Sequence, residues 1–221
     1  MNLPDGVLPG DWLLAAWLLF VPLFLHAVWQ APWRSLGNPS RFNAWLGTIV
    51  MLMLVWSLKA GIKPGLSLHL LGATLCVAAF GPRLAFIGLC GALLGVTLNG
   101  AAGWESFAAN ALLMAGVGSL VSALLLRFND LFLPANFFVY IFAVGFFGAA
   151  ITIASVGSVS SLVMALAGVY DAEYLLSDYL PYAFLLGFAE AWLSGMFLTL
   201  FVVYRPEWVS TFDDSRYLHN K

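Results

Sequence analysis

The chain has 221 residues, of which 62% are hydrophobic and only 9% charged, with a formal net charge of −2. A soluble domain carries about 25% charged residues, and a nucleic-acid binder needs a basic face. Composition therefore excludes a soluble globular protein, a disordered chain and a nucleic-acid-binding module, and identifies an integral membrane protein.

A helix needs roughly 20 apolar residues to cross the hydrocarbon core. The chain opens with MNLPDGVLPGDW, where Pro4, Gly6, Pro9 and Gly10 predict a shaped loop over residues 1–11. No Lys or Arg precedes the first apolar run and Asp5 and Asp11 stand there instead, so no signal peptide is expected. Methionine aminopeptidases prefer a small second residue, so Asn2 favours retention of Met1. The apolar runs that follow are 12–29, 42–58, 66–80, 84–99, 107–126, 137–169 and 182–204. Runs 66–80 and 84–99 are short and joined by Gly81-Pro82-Arg83, which predicts two short helices buried among longer ones. Run 137–169 contains Gly145, Gly148, Gly157 and Gly168 and reads as one tilted or kinked helix, or as two pieces. Residues 205–221 form a tail. The alternating strands of a membrane barrel are absent. The predicted fold class is all-α: residues 1–221 form a single polytopic bundle, with residues 12–204 as about seven transmembrane helices.

Charge orients the bundle. With seven crossings and the N-terminus outside, Arg34, Arg41, Arg83, Arg127, Arg205, Arg216 and Lys221 fall inside, against Lys59 and Lys63 outside. The positive-inside rule selects this arrangement over one that splits run 137–169. The tail is then cytoplasmic, and the expected location is the inner or plasma membrane.

Polar groups within the spans are candidates for function. Glu190, in GFAEAWLSG, is the only acid inside a run, about 12 Å below the outer end of a helix starting at 182. A protonated Glu bonded to a neighbouring helix is the alternative. His69, in KPGLSLHLLG, is expected to open the third helix on the outer side. Asn110, in FAANALLM, lies near the outer end of the fifth, facing the same cavity or bonding between helices. His26 lies at the opposite end, His219 in the tail, and the methionines read as packing. Cys76 follows His69 by seven residues, which places it on the same helical face about 10 Å deeper, where a thiolate would help hold a soft metal; the preferred reading is an inert buried thiol, and neither it nor Cys90 has metal-ligand spacing. Walker A, HExxH and GxSxG motifs are missing, so no ATPase or hydrolase is expected within the chain.

Four segments together resemble one family. The start MNLPDGVL, SLHLLGATLCVAAFGPRLAF, FAANALLMAGVG and GFAEAWLSG occur in the order seen in the CbiM/NikM family. These are the substrate-binding membrane subunits of energy-coupling-factor transporters for cobalt and nickel. The resemblance runs from residue 1 to about 204. It implies a seven-helix subunit whose N-terminal loop tucks into the bundle, working with a transmembrane coupling subunit and ATPase subunits.

The resemblance also implies a metal site. The N-terminal amine, the backbone nitrogen and imidazole of position 2, and a histidine at the third helix hold the ion. Carried over, Met1 supplies the amine and His69 the second imidazole, while Asn110 and Glu190 orient the loop without ligating. Position 2 departs, being Asn2, and an amide is a poorer nickel or cobalt ligand than imidazole. The expected function is uptake of a transition metal ion of the nickel or cobalt kind, with copper or zinc as further candidates. The ion is substrate, and no tightly bound cofactor is expected. The alternatives are a membrane assembly or sensing protein that lost the site, or a carrier of a small organic solute using Glu190 as counter-charge.

Overall fold

The computed structural model describes residues 2–58, 60, 61, 63 and 66–217. After a loop reaching Pro9, the chain forms α1 (Gly10–Gln30) and α2 (Pro39–Ser57). An antiparallel ribbon follows, β1 (Ala60–Gly61) against β2 (Ser67–Leu68), with Ala60 opposite Leu68 and Gly61 opposite Ser67. Next come α3 (Ala73–Phe80), α4 (Pro82–Leu98), α5 (Phe107–Phe132), α6 (Phe137–Leu166) and α7 (Ala172–Tyr204). By length and apolarity, α1, α5, α6 and α7 can each cross a bilayer. At 1.5 Å per residue α3 is only about 12 Å long. It lies inside the bundle with every residue but Leu75 buried.

The outside of the bundle is a lipid-facing surface. On α1 only Phe20 and Ala27 are buried, while Leu14, Leu18, Leu25 and Trp29 point outward. The centre belongs to α3 and α4, where Leu84, Ala85, Leu89, Ala92 and Leu93 are almost fully enclosed. Below the start of α3, the hydroxyls of Thr74, Ser122 and Thr152 bond to one another at 2.8 and 3.1 Å and stitch α3, α5 and α6 together. Such interhelical bonds supply cohesion that apolar contact in lipid does not.

Three boundaries differ from those read in the sequence. Run 66–80 is helical only from Ala73, so His69 stands on extended chain ahead of α3 rather than in its first turn. Gly72, at φ 71°, turns the chain into the helix, and the N–H groups of Leu71 and Gly72 bond outside it. Cys76 consequently does not share a helical face with His69; it is a buried free thiol. Run 137–169 is one helix to Leu166, with wider π turns at Ile141–Gly148. Helix α7 begins at Ala172, well before 182, so Glu190 sits near its middle. A π segment at Leu175–Tyr179 carries the helix into Pro181; its wider turn accommodates a proline that has no N–H.

The described part of the tail is packed, not free. Val209, Phe212 and Tyr217 are buried against Tyr140, Val144 and Leu198. The N–H groups of Ser210 and Thr211 donate to the Ala79 and Ala78 carbonyls at the end of α3. His219 lies outside the described residues.

Gly118 is where α5 meets α3: a Cβ there would stand 3.0 Å from that of Ala73 and 3.2 Å from Leu71 Cδ2. Gly118→Val should therefore overpack this contact and destabilise the protein by about 1–3 kcal/mol. Thermal unfolding in detergent checks it; an unchanged midpoint would mean that α3 and α5 are not so close.

Candidate metal centre

The N-terminal loop is bound into the bundle at three points. Asn110 on α5 is fully buried and clasps Leu3 from both sides of its amide. Leu3 N–H donates to Asn110 Oδ1 at 2.8 Å, and Asn110 Nδ2 donates to the Leu3 carbonyl at 2.9 Å. One residue pair thus satisfies a backbone donor and acceptor that would otherwise be buried unpaired. Asp5 makes the second anchor: its carboxylate accepts from the N–H groups of Trp104, Glu105 and Ser106 at 3.1, 2.9 and 3.2 Å. The third is Ser106 Oγ, which donates to the Pro4 carbonyl at 3.0 Å. Leu3 and Leu8 fill the space beneath, against Leu66, Leu113, Met164 and Tyr179.

This anchoring brings Asn2 to His69. Both are only 3% exposed. His69 Nδ1 lies 2.9 Å from the Leu70 carbonyl. A carbonyl can only accept, so Nδ1 carries the proton and Nε2 presents its lone pair. Nε2 lies 3.3 Å from Asn2 Oδ1, itself an acceptor. The imidazole and the Asn2 side-chain amide thus meet in a buried space, a nitrogen and an oxygen donor within reach of one cation. Two ligands at about 2.1 Å from an ion stand about 3.0 Å apart at a right angle and about 3.4 Å apart in a tetrahedron. The observed separation falls between them. The Asn2 backbone N–H donates to Ser67 Oγ at 3.3 Å, while Asn2 Nδ2 has no hydrogen-bond partner among the described residues.

The wall behind His69 is aromatic and acidic. The Trp56 ring centroid is 5.3 Å from that of His69, and Trp56 Nε1 donates to the Leu71 carbonyl at 3.3 Å. Glu190 receives the N–H of Leu71 on one oxygen at 2.8 Å and that of Gly72 on the other at 2.6 Å.

The structure thus brings Asn2, His69 and Asn110 together around the loop. Glu190 is bonded to the segment after His69, so it orients that segment rather than the N-terminal loop. Met1 lies outside the described residues. Among the described residues no three His, Cys, Asp or Glu gather into a cluster; the donors here are neutral nitrogen and oxygen. Sequence reasoning missed Asp5, Ser67, Ser106 and Trp56. Only Asp5 had a local signal, the Pro4-Asp5-Gly6 turn with Gly6 at φ 75°.

Known proteins resemble this chain in sequence and in fold. The family model CbiM, "Cobalt uptake substrate-specific transmembrane region", matches residues 2–208. A "Cobalt transport protein CbiM" of Anoxybacillus flavithermus (strain DSM 21510 / WK1) is 33% identical over 127 residues, 57% of this chain and 50% of that protein. The chain thus matches about half the length of this curated relative. Two solved structures share the fold at 19% identity. A truncated transition metal transporter gives a TM-score of 0.75, covering 92% of this chain and 98% of its own. A second transition metal transporter gives 0.76, covering 92% and 93%. With its helical bundle and a family match over nearly its whole length, the chain is a multi-pass plasma-membrane protein and belongs to the CbiM family of cobalt-uptake substrate-specific transmembrane regions.

Proposed function

We propose that the protein is the metal-binding membrane subunit of an energy-coupling-factor-type transporter, taking up a transition metal ion of the cobalt or nickel kind. The observation that carries this reading is the approach of Asn2 Oδ1 to His69 Nε2 at 3.3 Å under a clamped loop. The amine of Met1, by its resemblance to the family, adds a further nitrogen donor. Seven crossings with the N-terminus outside orient the site outward. The ion binds there, and a coupling subunit with its ATPases drives release inward. Asn110 and Asp5 hold the loop, Glu190 holds the chain after His69, and none of the three ligates.

Uptake of labelled cobalt, nickel, copper and zinc by cells with and without the protein and its partner subunits tests the function. No difference for any of the four would overturn it.

His69→Ala should abolish tight metal binding while leaving the fold intact in detergent, as read by calorimetry and circular dichroism. Asn110→Ala leaves the Leu3 amide N–H and carbonyl buried and unpaired, each at a cost of about 1–3 kcal/mol. Its metal affinity should fall at least ten-fold, with the His69 segment still held by Glu190.

Asn2→His should do the opposite. An imidazole there replaces a weak oxygen donor with a nitrogen, and cobalt or nickel affinity should rise about ten-fold or more, or about 1.4 kcal/mol. An affinity equal to wild type would remove position 2 from the site.

A further inference from the structure

The chain between His69 and α3 puts two interactions of the site on one peptide unit. His69 Nδ1–H donates to the Leu70 carbonyl at 2.9 Å, and the Leu71 N–H donates to Glu190 Oε2 at 2.8 Å. That carbonyl and that N–H are the two ends of a single amide. No described peptide bond is cis, so the oxygen and the hydrogen of this amide point to opposite sides. Imidazole, amide and carboxylate therefore form one hydrogen-bonded row.

The next unit repeats the pattern. Gly72 N–H donates to Glu190 Oε1 at 2.6 Å, and the Leu71 carbonyl of the same amide accepts from Trp56 Nε1 at 3.3 Å. One side chain of α7 thus stands behind both rings, which lie 5.3 Å apart. Both oxygens of Glu190 accept from N–H groups, the pattern of an ionised carboxylate, and bonds to an ionised acceptor are the short and strong ones. Glu190, Leu71 and His69 are all buried, so little solvent screens the row.

An amide whose N–H is drawn toward a negative charge carries more charge on its oxygen, and chained hydrogen bonds strengthen one another by roughly 10–30% each. The Leu70 oxygen then pulls harder on the Nδ1 proton. That proton stays on Nδ1, and Nε2 becomes the richer donor. Carboxylates bonded directly to a metal-binding histidine act in this way; here a peptide unit stands between. We infer that Glu190 sets the tautomer and the donor strength of His69 through the Leu70–Leu71 peptide, as a positioning residue that does not touch the ion. The inference rests on the proposed metal centre and goes beyond the holding of the chain.

The test reads the metal-free protein first. Full-length protein carrying nitrogen-15 histidine is purified in detergent, and its imidazole nitrogen shifts are recorded at pH about 8, above the ordinary histidine range. A His69→Gln spectrum assigns the signals. Wild type should show the proton on Nδ1 alone. Glu190→Gln keeps the shape and one acceptor oxygen but not the charge, and should show the proton shared between the two nitrogens. Trp56→Phe loosens the same segment at the Leu71 carbonyl, leaves the row intact, and should keep the wild-type tautomer. Cobalt affinity by calorimetry should fall about ten-fold in Glu190→Gln. A proton on Nε2 of wild-type His69 would overturn the inference. So would a Glu190→Gln protein with the wild-type melting temperature and either wild-type nitrogen shifts or wild-type cobalt affinity. Equal nitrogen changes in Glu190→Gln and Trp56→Phe would also overturn it, leaving Glu190 as a holder of chain and no more. Failure of wild type to bind cobalt or nickel would instead overturn the transport reading, with the nitrogen shifts still deciding the role of Glu190.

Discussion

Two backbone N–H groups, those of Leu71 and Gly72, find their acceptors in the carboxylate of Glu190, and the rest of the structure follows from that pairing. Chain inside a membrane protein must satisfy its own polar groups, so non-helical backbone survives only where the protein supplies partners. Glu190 supplies them from the middle of α7. Residues 66–72 can therefore remain unwound at depth, and His69 stands on a rigid strand of chain instead of being wound into a helix. Without the carboxylate, two buried donors would be orphaned and the segment would gain by continuing α3 toward its N-terminus. The imidazole would then turn to a different direction.

The N-terminal loop solves the same problem with different groups. It too is irregular backbone packed against helices, and Asn110 and Asp5 do for Leu3 and the 104–106 turn what Glu190 does for Leu71 and Gly72. The two irregular segments meet at Asn2 and His69. For the proposed metal centre a rigid meeting point matters, because metal geometry is fixed within a few tenths of an ångström. Helices alone would not reach it, since their backbone groups are already bonded and their side chains point sideways.

The bundle was readable because its signals are local. Helix starts at Gly10, Pro39, Pro82 and Phe107 fall within three residues of the apolar runs, marked by proline, glycine and the change in hydropathy. The start of α3 was not readable. A largely buried, extended apolar stretch has the composition of a buried helix, and the group that unwinds it lies 119 residues away. Asn110, His69 and Glu190 could be singled out as polar residues in apolar runs, yet which backbone each would hold could not. Asp5 escaped as well. The Pro4-Asp5-Gly6 turn marks it as a turn residue and no more, because its partners begin 99 residues downstream.

Helix α3 is fastened at both ends to the same element. Its entry is gripped by Glu190 on α7, and the Ala78 and Ala79 carbonyls at its exit are taken by Thr211 and Ser210, a few residues beyond the end of that helix. The short helix is thus a tie-bar of α7, bracketed like a stay against a mast. Any tilt of α7 in the bilayer carries α3 and the histidine with it as one body. The packed contacts of α3 with α4 and α5 hold the same bar from its other side.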